Sequence, residues 1–264
     1  MSEQTWFLLT LGAIASMGLM LPVWLLARRV NNVGVLDVGW SLVFTMIAVV
    51  YFFFGVGDPA RKLLIAGMVA IWSLRLAIHL LVRLVKSHPK EDGRYARLRE
   101  QYPRHTWLMF FSLFELEAVV LVILSVPLAI AASNNAVGIQ PIEWVGAGLW
   151  LVAVLGETVA DWQLLRFRGN PANAGRTCRS GLWRYSRHPN YFFEWLIWVA
   201  YFVFALGSPA GWIAVLCPLL MLFFLFHVSG IPITEAEAIR SRGDDYRAYQ
   251  RTTSAFVPWF PKRS

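Results

Sequence analysis

Gly181-Leu182-Trp183-Arg184-Tyr185-Ser186-Arg187-His188-Pro189-Asn190-Tyr191, with Glu194 three residues on, joins a charged loop to a strongly apolar segment. Two Arg, a His, an Asn and a Glu crowd that boundary. Such charge beside a greasy helix is costly in lipid unless it holds something polar or anionic. Outward from this stretch, apolar runs recur on both sides. Windows of about 20 residues suit the hydrocarbon thickness of a bilayer, and seven emerge, at 5–27, 35–56, 63–84, 107–132, 142–165, 191–206 and 211–229. The expected fold is an all-α integral membrane protein, a bundle of about seven transmembrane helices.

Composition agrees. Of 264 residues, 57% are hydrophobic, more than a soluble domain of this length needs. Lys and Arg outnumber Asp and Glu by 24 to 16. The excess lies between apolar segments, which points to the cytoplasmic face of a membrane and away from nucleic acid. Cys178 and Cys217 are too few for a disulfide framework or a thiolate metal site. A cleavable signal peptide is not expected, because Arg28-Arg29 follows the first apolar run instead of preceding it.

Loop charge sets an expected orientation. The segment 83–105 holds seven Lys/Arg, and 166–187 holds six Arg with no acid, whereas 133–141 and 207–210 have no basic residue. With seven spans this favours an outward N-terminus and a cytoplasmic C-terminus. Arg61-Lys62 is the one discordant pair. With no repeat, low-complexity tract or linker, residues 1–264 read as one multi-pass domain, best suited to a bacterial inner membrane. Its substrate-side helices are expected in 1–135 and its cofactor-binding half in 142–264.

Several spans carry ionisable groups that lipid penalises by a few kcal/mol each on insertion scales. These are Asp37, Arg75, His79, Glu115, Glu117, Glu157, Asp161, Glu194 and His227. Arg75/His79 and Glu157/Asp161 are each four apart, so each pair shares a helix face. Interhelical pairing suffices to explain Glu115, Glu117 and His227. Asp37, Arg75, His79 and Glu194 are more than adhesion requires, and point to a polar cavity. The five histidines form no cluster of the kind a membrane di-iron oxygenase needs, and no metal site is expected. A His-Glu-x-x-His helix, a Gly-x-Ser-x-Gly elbow, a Gly-x-x-x-x-Gly-Lys loop and a Gly-x-Gly-x-x-Gly turn are all absent from the sequence. A nucleotide, if bound, is held by helices and loops.

Arg166, Arg168, Arg176, Arg179, Arg184 and Arg187 admit two readings. Topology alone makes cytoplasmic loops basic. Lys would serve that purpose equally, however, and the planar fork of Arg suits phosphate. Asn190 and Glu194, four apart, can together read the donor and acceptor of a carboxamide such as nicotinamide. The bland alternative is a helix cap beside one buried carboxylate. In the tail, Tyr246 and Tyr249 lie on one face, to cover a flat ring such as adenine or to dock the tail on the bilayer surface.

The run from Gly181 to Glu194 resembles the C-terminal signature of the steroid 5-alpha-reductase family and is similar to that of the sterol C14 and C7 reductases. Asp161-Trp162-Gln163 with Phe167 and Arg168, and the tail from Gly243 through Tyr249 to Pro258, resemble flanking segments of the same family. The likeness covers roughly 157–261. It implies a seven-helix bundle that uses NADPH to reduce a carbon–carbon double bond conjugated to a ketone. By this resemblance Asp161, Arg168, Arg176, Asn190, Tyr191 and Glu194 contact the cofactor, with Arg179, Arg187, His188, Tyr246 and Tyr249 around them. Asp37, Trp40, Trp72, Arg75 and His79 fall where the steroid enzymes keep substrate-binding and polarising groups. The Gln-Glu pair and the Tyr of the vertebrate enzymes have no plain counterpart.

The expected chemistry is hydride transfer to the β-carbon of a 3-oxo-Δ4-steroid or similar enone that enters from the bilayer. Asp37 or His79 polarises the ketone, and Glu194 clamps the nicotinamide. Isoprenylcysteine and phospholipid methyltransferases, which use S-adenosylmethionine, share the Arg-His-Pro-x-Tyr turn and form the alternative. The acid-free Arg loop favours NADPH, since S-adenosylmethionine carries no phosphate.

Overall fold

Side-chain oxygens and prolines set the helix starts. Ser2 accepts from the Thr5 amide to open α1 (Glu3–Val30). Asp58 accepts from the Ala60 and Arg61 amides just before Pro59, which begins α3 (Pro59–Ser87). Between them lies α2 (Val35–Phe54). Each device satisfies an amide that the first helical turn leaves without a partner, and proline at the first position has no amide to satisfy. The computed structural model describes residues 1–262 and is helical, with no strand among the described residues.

Six helical runs are long and apolar enough to cross a membrane: Glu3–Val30, Val35–Phe54, Pro59–Ser87, Thr106–Leu124, Pro141–Arg168 and Gly211–Arg242. The sixth expected window becomes a helix of 17 residues, Pro189–Ala205, shorter than these. The protein is therefore an all-helical, multi-pass membrane protein.

The chain divides into two compact units, Met1–Pro141 with Ala205–Gly211, and Ile142–Phe204 with everything from Trp212 onward. In the first, α2 packs against α1 and α3, and α1 also packs on α5 (Thr106–Leu124). A short α4 (Gly93–Gln101) precedes α5, and α6 (Val126–Ala132) follows it. The core runs through Leu8, Met20, Phe44, Ile47, Trp72, Phe110 and Phe114, none more than 1% exposed. The buried Tyr51 hydroxyl meets Ser125 Oγ at 2.8 Å, so its polar tip is satisfied.

The discordant pair Arg61-Lys62 has a structural use. Arg61 is fully buried and donates to the carbonyls of Asn134, Ala136 and Gly138, and Lys62 Nζ donates to the Gly55 carbonyl at 2.7 Å. Both cations tie down loop backbone.

The second unit holds α7 (Pro141–Arg168), α8 (Pro189–Ala205) and α9 (Leu216–Phe223), then a π-helical turn at Phe224–Val228. Two short helices close it, α10 (Ile231–Arg242) and α11 (Asp244–Thr252). α7 and α8 approach closely because α7 carries glycine at the crossing. A Cβ on Gly146 would lie 2.6 Å from the Phe204 backbone nitrogen, and one on Gly156 would lie 2.4 Å from the Phe193 ring.

Candidate functional site

In the second unit the signature begins at Gly181, whose φ of +59° favours a residue without a Cβ. There the chain leaves the Arg loop and passes close against Gln163. Gln163 Oε1 accepts from the Leu182 amide at 2.9 Å, and Trp183 Nε1 donates to the Ala160 carbonyl at 2.9 Å. Both bonds anchor the signature to the last turns of α7. Eight residues on, α8 starts at Pro189. Asn190 Nδ2 donates to Oδ1 of the buried Asp161 at 3.3 Å. One turn further, Glu194 Oε1 accepts from Trp198 Nε1 at 3.0 Å. The indole of Trp198 packs edge-on against Tyr201 at 5.7 Å, and the Tyr201 hydroxyl accepts from Trp150 Nε1 at 3.2 Å. Polar contacts thus recur along α8, the first tying Asn190 to Asp161 of α7 and the next, one turn on, tying Glu194 to Trp198.

A second cluster centres on Glu235, a tail carboxylate that the sequence placed beside Tyr246 and Tyr249 without a role in the site. Its Oε1 accepts from Arg187 Nε at 2.7 Å and from the Tyr246 hydroxyl at 3.3 Å, and lies 3.1 Å from His188 Nε2. Its Oε2 accepts from Gln250 Nε2 at 2.7 Å. Arg187 Nη1 also donates to the carbonyls of Gln250 and Thr253. Tyr249 donates to the Trp183 and Ser186 carbonyls, and Ser186 Oγ donates to the Phe256 carbonyl at 2.7 Å. The tail is in this way laced to the signature. Arg187, His188, Tyr246 and Tyr249 turn to protein partners here. Tyr191 stacks its ring on His188 at 5.3 Å, and its hydroxyl meets Thr234 Oγ1 at 3.1 Å. Burial pushes the His188 imidazole below its ordinary value of 6.5, against the opposing pull of Glu235.

The Arg loop contains no acid of its own, but acids reach it from the tail. Arg179 pairs with Asp245 at 2.8 Å, and Thr177 donates its amide to the same carboxylate at 2.8 Å. Burial alone would raise Asp245; the Thr177 hydrogen bond and the Arg179 charge outweigh it and hold the carboxyl below its ordinary range. Arg166 stacks on the Trp162 ring at 5.4 Å. Arg168 is exposed at the end of α7. Arg176 and Arg184 are exposed and form no ion pair among the described residues.

The first unit gathers the expected substrate residues. Trp72, Arg75 and His79 share a face of α3, with Trp72 fully buried and the other two partly so. Trp72 packs edge-on against Phe44 at 5.3 Å, and Phe44 against Trp40 at 4.8 Å. Asp37, in the first turn of α2, is an acceptor: Tyr95 donates to Oδ1 at 2.6 Å and Arg94 to Oδ2 at 3.2 Å. Burial and the neighbouring Asp37 charge push the Tyr95 phenol well up, so it keeps its proton and donates. Tyr95 was not among the expected residues. Beside it, Glu91 takes a two-pronged bond from Arg99 at 2.9 and 3.0 Å and accepts the Val33 amide at 2.8 Å. Among the described residues no cluster of His, Cys, Asp and Glu could hold a metal ion.

This arrangement defines a class: a multi-pass helical membrane protein with an Arg-rich polar loop that feeds a buried carboxylate–amide pair. The chain belongs to the family described as "Protein of unknown function (DUF1295)", which matches residues 23–253. It is 25% identical over 206 residues to an uncharacterized protein of Schizosaccharomyces pombe, a match covering 69% of this chain and 60% of that one. The chain thus spans less than two thirds of the length of that curated relative. No solved structure matches.

Proposed function

We propose that the chain is an NADPH-dependent reductase that transfers hydride to the β-carbon of a lipophilic enone, a 3-oxo-Δ4-steroid or a similar compound. The observation that carries this reading is a run of exposed arginines that leads to two acceptors on α8 in the second unit. Exposed Arg166, Arg176 and Arg184 lead into Asn190 and Glu194, which stand four residues apart on α8. Guanidinium groups exposed to solvent match phosphate oxygens in geometry and charge. Asn190 uses Nδ2 on Asp161, and its Oδ1 makes no hydrogen bond among the described residues, so it can accept from a carboxamide. Glu194, held by Trp198, adds a second acceptor on the same face. These groups fit a dinucleotide with a carboxamide ring at one end and phosphates at the other.

Bound NADPH would supply the hydride, and a solvent proton would complete the saturated ketone. The groups expected to bind and polarise the ketone belong to the first unit: Asp37, Trp40, Trp72, Arg75 and His79. Because Asp37 accepts from Tyr95 and Arg94, its part in this reading is to fix those donors, and the polarising donor falls to another group of that unit. The same reading puts the N-terminus outside and the C-terminus in the cytoplasm of a bacterial inner membrane. Its support is the loop charge, together with the burial of the discordant Arg61 among backbone carbonyls.

Thermal unfolding of the purified protein separates this reading from a methyltransferase. Protection by NADPH and none by S-adenosylmethionine is expected. Protection by S-adenosylmethionine alone would overturn it.

A further inference from the structure

We propose that Asn32 Nδ2 and Trp40 Nε1 are the hydrogen-bond donors that recognise a neutral oxygen of the lipophilic ligand, and so determine its specificity for a ketone or hydroxyl head. The inference rests on the reductase reading only for the ligand's class.

Asn32 sits in the turn between α1 and α2 and is 2% exposed. Its Oδ1 accepts from the Gly34 amide at 2.9 Å, which fixes which end of the side-chain amide points where. The opposite end, Nδ2, is buried and meets no acceptor among the described residues. Trp40 repeats the pattern. It lies three residues beyond Asp37 on the same face of α2, and its Nε1 is likewise buried without an acceptor. The nearest obvious acceptor on that face is already engaged, because Asp37 takes Tyr95 on one oxygen and Arg94 on the other.

Both donors lie at one end of α2. The helical rise from Val35 to Trp40 is about 7.5 Å at 1.5 Å per residue. Folded proteins leave few buried donors unsatisfied, and each such donor calls for an explanation. The surroundings say what kind of acceptor suits them. Trp40 packs on Phe44, and Phe44 on Trp72; the latter two are fully buried, so the half-buried Trp40 ring is the part of this apolar cluster left to meet a hydrocarbon skeleton. The Asp37 carboxylate on that face is already paired with Arg94, so neither charge is left over to select an ion. A neutral carbonyl or hydroxyl oxygen on a flat apolar body meets both conditions.

The test is binding without cofactor, using full-length protein in detergent and two probes: a 3-oxo-Δ4-steroid and the matching Δ4-steroid hydrocarbon lacking that oxygen. The ketone is expected to protect the wild type from thermal unfolding at lower concentration than the hydrocarbon. Trp40→Phe keeps the ring against Phe44, and Asn32→Asp keeps the acceptor for Gly34. Each should weaken ketone binding about 3- to 10-fold, the size of one lost hydrogen bond, and leave hydrocarbon binding as it was. Unchanged hydrocarbon binding reports that the variants are folded. Equal protection by the two probes, protection by neither, or full ketone preference in both variants overturns the assignment. NADPH oxidation is measured separately. If it fails with the enone while the ketone preference and its loss in Trp40→Phe persist, the reductase reading falls and this assignment stands.

Discussion

Arg187 Nε donates to Glu235 Oε1 at 2.7 Å, with the two side chains only 12% and 14% exposed. The bond joins the signature before α8 to the first turns of α10, and His188, Tyr246 and Gln250 converge on the same carboxylate. Removing the acceptor would leave a half-buried guanidinium and several donors without a partner. Glu235→Ala should therefore destabilise the protein by about 3 kcal/mol, the size seen when one partner of a buried pair is lost. Glu235→Gln, which keeps an acceptor oxygen, should cost less than half of that. Denaturant unfolding in micelles reads both, and a Glu235→Ala variant as stable as wild type would refute the clasp.

His188 gives this region a pH dependence of known sign. Its folded value lies below 6.5 because burial disfavours the charged ring. Above 6.5 both folded and unfolded forms are neutral and the residue contributes no slope. As pH falls below 6.5 the unfolded chain takes up the proton first, so stability declines until the folded value is passed. Thermal unfolding between pH 5 and 8 should show this decline in wild type and a flatter profile in His188→Gln. Equal slopes would exclude His188 as the source.

The helical, membrane-crossing character was legible because 20-residue apolar windows leave few alternatives in a chain this greasy. The sixth window, 191–206, reads as short, and the helix there is short at 17 residues, with its start at Pro189 inside the charged signature. At the site, Asn190 and Glu194 could be read from their spacing and Asp161 from the family resemblance, and Asp161 and Asn190 do meet. Glu235 could not. It lies 47 residues beyond His188 and sits in an ordinary charged helix, so only the fold of the tail reveals it. Tyr95 escaped for the same reason, because its bond to Asp37 joins residues 58 apart. The Arg loop was read as acid-free, which holds along the chain. In space Asp245 and Glu235 supply the missing charge to Arg179 and Arg187.

Close packing of α7 on α8 depends on Gly146. An added methyl there meets the Phe204 backbone, which cannot swing aside as a side chain can. Gly146→Ala should cost about 1–3 kcal/mol, as overpacking does. Gly148, two residues on, has open space around it. Gly148→Ala should be neutral or stabilise by up to about 1 kcal/mol through helix propensity. Equal effects at the two positions would contradict the packing described.

Arg176 and Arg184 separate cofactor binding from stability. Both are exposed and form no ion pair among the described residues. Replacing either with Ala should change stability by no more than about 0.5 kcal/mol. Under the proposed function each should raise the KM for NADPH about 10-fold, the loss of one charge-assisted contact. An unchanged KM in both variants would remove these arginines from the phosphate site.

The central claim, hydride transfer from NADPH to the β-carbon of an enone, is tested most directly with NADPH deuterated at the nicotinamide C4. After incubation of the purified protein with a 3-oxo-Δ4-steroid, mass spectrometry and NMR of the product should find one deuterium at the β-carbon, from one face of the cofactor only. The α-carbon should carry a proton from solvent. Saturated product without deuterium, or a methylated product formed from S-adenosylmethionine in its place, would contradict the account.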